Sequence, residues 1–331
     1  MGSATATNTN RLQLENDWHY ADAAMGTVEV VDGATFELGS HARLTGQMYL
    51  YNGGTFIIRE ADKHQYEYVE GGSTLEDTYQ YADYYGYKGV GSSADIYLGG
   101  SNAALRIEYS EGTTANTTID ASISGKGSVS VDTGLSGGTL TLAGNNSMSG
   151  TKTIVSGGLI ADSATALGNT TTNKWKIQEK GWLVSHVDDG ATLLGKIDSS
   201  SAGVLALSGN TTTQLDLSGH KSLYVGAETG KTIEYGEKGT STELVAQNGA
   251  WRLGGGGGTL NVNFLLTGEN DLIIGNTYSS GTVHLANNGN TFSGDIIIMG
   301  TGNILTYESK SALGNAHVAL SYGNTLALHS A

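Results

Sequence analysis

Three stretches of the chain carry the spacing of a reactive site. Gly134-Leu-Ser-Gly-Gly138 satisfies G-x-S-x-G, in which a serine is raised on a strand-to-helix turn for nucleophilic attack. Val131-Asp-Thr-Gly134 has the form of one half of an aspartic-protease pair, and Gly226-Ala-Glu-Thr-Gly-Lys-Thr232 is one residue short of a phosphate-cradling loop. Each lacks what its chemistry needs. Gly134–Gly138 joins two short strand patterns, with no helix pattern behind it. No second Asp-Thr/Ser-Gly exists to share a proton, and no helix pattern follows Thr232 to aim N–H groups at a phosphate. A chain with 50 Gly produces such spacings by chance, and turn residues account for all three. We expect no catalytic residue and no cofactor.

Metal chemistry is equally poorly supplied. The histidines, His19, His41, His64, His186, His220, His284, His317 and His329, never fall at the close spacing of a zinc site, and there is no Cys. His284 and His317 alternate with apolar neighbours and are expected to face outward from strands. Asp188-Asp189-Gly190 and Glu76-Asp77 offer oxygen to calcium, but without an Asp-x-Asp-x-Asp series they read as acidic turns, and no metal is expected.

Residues 59–90 differ from the rest. They hold seven of the 17 Tyr and seven acids, too long for a corner and too polar for a buried strand. The candidate binding residues are Tyr66, Glu67, Tyr68, Glu70, Glu76, Asp77, Tyr79, Tyr81, Asp83, Tyr84, Tyr85 and Tyr87. Tyrosine offers a large contact area with a polar tip, suited to a host glycan or surface protein. The other reading is an amphipathic flap whose Tyr side chains cover one sheet. Both predict an inserted loop or hairpin on the side of a rigid scaffold.

The scaffold follows from the repeats. Thr35-Phe36 and Thr55-Phe56 stand twenty residues apart within matching strand patterns, as do Gly137-Gly-Thr-Leu-Thr-Leu142 and Gly157-Gly-Leu-Ile-Ala-Asp162. Gly281-Thr-Val-His-Leu-Ala286 aligns with Gly302-Asn-Ile-Leu-Thr-Tyr307 at twenty-one. At longer range 97–170 resembles 252–323, through Asn-Asn-Ser-Met-Ser-Gly150 against Asn-Gly-Asn-Thr-Phe-Ser-Gly294 and Ala-Leu-Gly-Asn169 against Ala-Leu-Gly-Asn315. A unit of about twenty residues cannot bury its own apolar face, but stacked units can. The alternation in Thr139-Leu-Thr-Leu142, Thr282-Val-His-Leu285 and Asp295-Ile-Ile-Ile298 puts Leu, Val and Ile on one face. The fold expected is an all-β parallel β-helix, a β-solenoid of roughly 15 turns at about one strand spacing per turn.

Composition agrees. Gly is about 15 % of the 331 residues and Pro is absent. Strands paired on both edges cannot spare an N–H, and repeated corners need residues tolerant of positive φ. Only Ala161–Leu167 reads as a helical turn. The net charge of −15, with no cluster of Lys or Arg, argues against nucleic acid as a partner. No apolar stretch approaches the ~20 residues of a membrane-spanning helix, so this chain is not expected to insert into a membrane. Residues 1–14 read as a cloning scar and polar tail, and 15–331 as a single β-helix.

Leu-Gly-Gly, Gly-Lys-Gly-Ser-Val, Gly-Gly-Thr-Leu-Thr-Leu-Ala-Gly-Asn-Asn-Ser-Met-Ser-Gly and Ser-Ala-Thr-Ala-Leu-Gly-Asn occur in that order between 97 and 170. This series resembles the autotransporter-associated β-strand repeat of bacterial passenger regions, as does 252–323 and, more loosely, 204–250. The resemblance implies a right-handed parallel β-helix, export to the cell surface or medium from an outer-membrane-anchored protein, and an adhesive or structural role. It carries no catalytic residues. The family's signal and membrane barrel are not seen, and a chain ending within a repeat is expected to be a fragment. The function expected is thus a non-enzymatic, virulence-type adhesin or display rod for host, glycan or cell–cell contact, capable of self-association. A secreted β-helical polysaccharide lyase or hydrolase and a purely structural spacer are the alternatives.

Overall fold

The computed structural model describes residues 27–38, 47–60 and 95–328, together with the short strands Ala4–Ala6, Arg11–Leu14, Asp22–Ala23, Arg43–Leu44, Glu67–Glu70, Ser73–Glu76 and Gly89–Val90. They gather into two compact units, Met1–Gly150 and Thr151–Ala331. Each unit is a β-solenoid whose main sheets are parallel.

In the amino-terminal unit one sheet runs through Ala4–Ala6, Thr27–Val30, Gln47–Leu50, Asp95–Leu98 and Ser122–Gly125. A second runs through Arg11–Leu14, Thr35–Leu38, Thr55–Glu60, Ala104–Tyr109 and Ser128–Asp132. In the carboxy-terminal unit the longer sheet begins with Lys152–Ala161 and Trp175–Ser185 and ends at Val318–Leu320. Its companion stacks Thr232–Tyr235, Thr259–Val262, Thr282–Leu285, Ile304–Tyr307 and Thr325–Leu328.

Alternation of side chains fixes the register. Val28, Met48, Ile96 and Ile123 are register partners from strand to strand, each at most 3 % exposed, and Ile233, Leu260, Val283 and Leu305 form a matching ladder in the second unit. Phe36 and Phe56 are register partners with ring centroids 5.6 Å apart, so the twenty-residue spacing seen in sequence is one turn here. Elsewhere the turn is longer. Thr232 pairs with Thr259 and Val225 with Leu253, steps of 27 and 28 residues, so the turns are fewer than a uniform period of twenty gives. Val283 pairs with Leu305 and not with Ile304, one residue off the sequence alignment. A slip of one residue exchanges faces, and the partner chosen is the one that buries Leu305 completely.

Helical structure lies elsewhere than expected. Ala161 ends a strand, and the helical turns among the described residues are Gly190–Gly195 and a 3₁₀ turn at Lys310–Leu313. Asp189 caps the first by accepting from the Thr192 N–H at 2.7 Å, an N-cap signature present in the sequence. Strands Val204–Leu207 and Tyr224–Ala227 are buried on both faces. Here the Gly254–Gly257 run, with φ between 77° and 96°, lies so close that a Cβ on Gly256 would stand 2.6 Å from the Ala227 carbonyl oxygen. Only glycine fits both the backbone conformation and the contact.

The extra chain in the first unit is bounded by its ladder. Arg59 and Glu60 pair with Glu108 and Tyr109, and Gly89 and Val90 pair with Arg43 and Leu44, so the insertion proper is 61–88. Within it Glu67–Glu70 and Ser73–Glu76 form an antiparallel hairpin, with Glu67 opposite Glu76 and Tyr68 opposite Leu75 in register.

The duplicated stretches share local structure. Asn146 Oδ1 accepts from the Ile123 N–H at 2.8 Å, and Asn290 Oδ1 accepts from the Leu266 N–H at 2.9 Å. Met148 and Phe292, two residues on in each case, are fully buried. Gly168 and Gly314 close equivalent turns with φ of 64° and 61°.

Candidate functional site

Of the residues singled out in the insertion, Glu67, Tyr68, Glu70 and Glu76 lie on the two hairpin strands. Tyr66, Asp77, Tyr79, Tyr81, Asp83, Tyr84, Tyr85 and Tyr87 lie outside the described residues. The hairpin register places the four charged or aromatic positions on neighbouring strands.

A second tyrosine group, which local composition does not mark, stands on the outer face of the first unit. Val28/Val30, Met48/Leu50 and Ile96/Leu98 point inward, so Glu29, Tyr49 and Tyr97 form one outward column, being register partners. Tyr51 follows at the end of its strand. Tyr49 and Tyr51 lie nearly parallel, 5° between planes and 6.2 Å between centroids. Tyr97 stands edge-on to both at 6.1 and 5.9 Å. The Tyr49 hydroxyl donates to Gln47 Oε1 at 2.8 Å. Burial, and then the negative potential of Tyr97, Glu29 and Tyr49, raise the Tyr51 pKa above that of free tyrosine. Tyr97 is 39 % exposed, and Glu29, Gln47 and Asp95 around the group are exposed. The signal that finds this group is the pair of strand patterns Gln-Met-Tyr-Leu50 and Asp-Ile-Tyr-Leu98, read with their true register.

The second unit carries a charged column. Asp162, His186 and Glu228 each follow the last residue of a strand. His186 Nδ1 is 3.0 Å from Asp162 Oδ1 and its Nε2 is 2.8 Å from Glu228 Oε1. Lys231 Nζ lies 2.7 Å from Glu228 Oε2. Burial alone would lower the His186 pKa, but hydrogen bonds to Glu228 and Asp162 outweigh it and the net shift is upward. The carboxylates sit on opposite ring nitrogens and cannot share a metal with the imidazole; the column is an ion-pair clamp across rungs. A histidine raised in the folded state contributes stability that is complete below its unfolded pKa of about 6.5 and is lost as pH rises through the folded value. We expect His186→Gln to lower stability at about pH 5.5 by up to about 1 kcal/mol, the group being partly exposed. The gap between wild type and variant should close by about pH 9, read by chemical denaturation at both pH values.

The other sequence motifs adopt structural roles. Gly134–Gly138 forms a turn between the strands Ser128–Asp132 and Thr139–Leu142, and Asp132 Oδ1 accepts from the Gly134 N–H within it. Gly226–Thr232 runs from strand to turn to strand, and its Lys231 pairs with Glu228. Asp188 pairs with Lys196 at 2.7 Å and Asp189 caps the helix, structural roles for both carboxylates of Asp188-Asp189-Gly190. Glu76 lies on the hairpin. His317 is exposed, as expected, but His284 is 7 % exposed. It occupies an outward position yet is covered by Thr306 at 3.0 Å and Glu308 at 3.3 Å on the next rung. Lys152 is fully buried; its Nζ donates to the Asn169 carbonyl at 2.7 Å, and burial lowers its pKa to about 8. His19, His41, His64 and His329 lie outside the described residues.

Among the described residues no three His, Asp or Glu side chains gather to hold a metal ion, and no helix is long and apolar enough to cross a membrane. Comparison with protein-family models, curated proteins and solved structures finds no match to this chain.

Proposed function

We propose that this chain is a non-enzymatic rod segment of a bacterial surface protein of the autotransporter passenger type, displaying its insertion and outer face for contact with a host surface, a glycan or another cell. The observation that carries the reading is how the insertion is mounted. Thr55 pairs with Ala104 and the ladder continues through Glu60 and Tyr109, so the chain departs and returns across a 49-residue step without breaking a rung. A segment rich in Tyr and acid is thereby carried between two rungs of a continuous ladder, the arrangement expected of a binding loop. The order of repeats in sequence supports the family assignment.

Replacing 61–88 by a short Gly-Ser linker tests this. We expect the variant to keep its β circular dichroism and to unfold within a few degrees of the parent, while adhesion of chain-coated beads to cells or glycan surfaces falls to background. Undiminished adhesion by the folded variant would sink the display role of the insertion. Antibody against the chain should label intact cells carrying the natural gene; labelling only after lysis would remove the surface assignment.

A further inference from the structure

We propose that Tyr49, Tyr51 and Tyr97 form a stacking subsite for a neutral β-linked hexose oligosaccharide, the sugar ring lying on the tyrosine rings with its hydroxyls reaching Glu29, Gln47 and Asp95. This deepens the contact-rod reading, on which it rests, by naming a ligand class and a place distinct from the insertion.

Three observations carry it. First, large aromatic rings stand at successive outward positions of a parallel sheet, Tyr49 opposite Tyr97 in register and Tyr97 39 % exposed. Outward positions of a solvated strand have no folding need for three adjoining aromatic rings. Second, the rings are fixed before any ligand arrives. Tyr49 and Tyr97 both contact Tyr51, which lies over Gly99 so closely that a Cβ there would overlap its ring. Tyr49 is anchored through Gln47. A platform already ordered loses little entropy on binding. Third, the rim is rich in acceptors and acidic. Glu29, Gln47 and Asp95 are exposed around the rings, on a chain of net charge −15. Sugar hydroxyls donate well to carboxylates, whereas uronic or sulfated polymers are repelled. Hexoses with equatorial hydroxyls present flat C–H faces that stack on the negative face of an aromatic ring.

The test is calorimetric titration of the full chain with cellohexaose and chitohexaose, and with an oligogalacturonate as the anionic comparator. We expect binding to at least one neutral hexamer and none to the oligogalacturonate. Tyr97→Ala should weaken it by about tenfold and Tyr97→Phe, which keeps the ring, by no more than about threefold. Gly99→Ala retains all three rings and should still weaken binding by displacing Tyr51. Thermal unfolding of each variant checks that the unit remains folded. Equal binding by Tyr97→Ala, preference for the anionic sugar, absence of binding to both neutral hexamers, or competition by a trimethyllysine peptide in place of sugar would each overturn the proposal. Release of reducing ends from a bound hexamer would overturn the non-enzymatic reading while leaving the subsite standing.

Discussion

Gly294→Val should destabilise the carboxy-terminal unit by about 3 kcal/mol or more, the upper end of what overpacking costs. Gly294 lies beside the fully buried Phe292 where the chain turns toward strand Ile296–Ile298. A Cβ at this position overlaps the carbonyl oxygen of Asn270 and stands 2.8 Å from the Asp271 nitrogen. Both obstacles are backbone, and both are tied down. The Asp295 N–H donates to Asp271 Oδ1 at 2.9 Å, and the Leu272 N–H donates to the Asp295 carbonyl at 2.8 Å. Relief of the clash must therefore open rung-to-rung hydrogen bonds, and a β-branched side chain cannot rotate away. Gly294→Ala should show the same sign and a smaller cost. Ser293→Val, at an exposed neighbour, should stay within about 0.5 kcal/mol of the parent. Gly150 stands in the corresponding place of the other copy, where a Cβ overlaps the Gly127 carbonyl. The same substitution there should strike the amino-terminal unit. Urea denaturation of the three position-294 and position-293 variants distinguishes a steric cost from a general loss of chain entropy. An unchanged midpoint for Gly294→Val would mean the rung spacing is looser than the contacts imply.

The ladder was legible because its cause is local. Alternation in Thr139-Leu-Thr-Leu142 buries Leu140 and Leu142 completely, and the matching Phe36 and Phe56 meet in register. Period two decides which face is apolar, and the absence of Pro follows from pairing on both edges. The tyrosine group was not legible, because its cause is distant. Tyr49 and Tyr97 are 48 residues apart in a chain whose strongest short repeat is twenty, because the insertion lengthens the turn between them, and it is strand register that brings them together. Composition drew attention to the tyrosines crowded between 61 and 88 and away from three at ordinary density. The His186 column was hidden for the same reason: Asp162 and Glu228 reach it from rungs 24 and 42 residues away. The covering of His284 likewise depends on Thr306 and Glu308 of the following rung, whose register was misplaced by one residue in the alignment of repeats.

Asparagines expose a subtler limit, since the repeats align Asn146 and Asn290 without marking them, and in the fold they are buried connectors. Asn290→Ala should lower the stability of the carboxy-terminal unit by about 2–4 kcal/mol, two buried groups losing their partners at about 1–3 kcal/mol each with partial relaxation. Its Oδ1 accepts from the Leu266 N–H at 2.9 Å and its Nδ2 donates to the Ala312 carbonyl at 2.7 Å, so one side chain joins three successive rungs. The side chain is 6 % exposed, which leaves little access for water to replace either bond. Asn290→Asp separates the two bonds. Ionised, it keeps an acceptor for Leu266 but sets a carboxylate against the Ala312 carbonyl; protonated, it regains a donor. Its deficit should therefore shrink as pH falls through the carboxyl pKa, whereas that of Asn290→Ala should not follow this course. Denaturation midpoints of both variants at about pH 7 and about pH 4 decide it. A small deficit for Asp at both pH values beside a large one for Ala would show that cavity volume, and not the paired hydrogen bonds, carries the cost. Asn146→Ala should then act in the same way on the Ile123 N–H of the other copy, because the duplicated sequence repeats this bond as well as the ladder it closes.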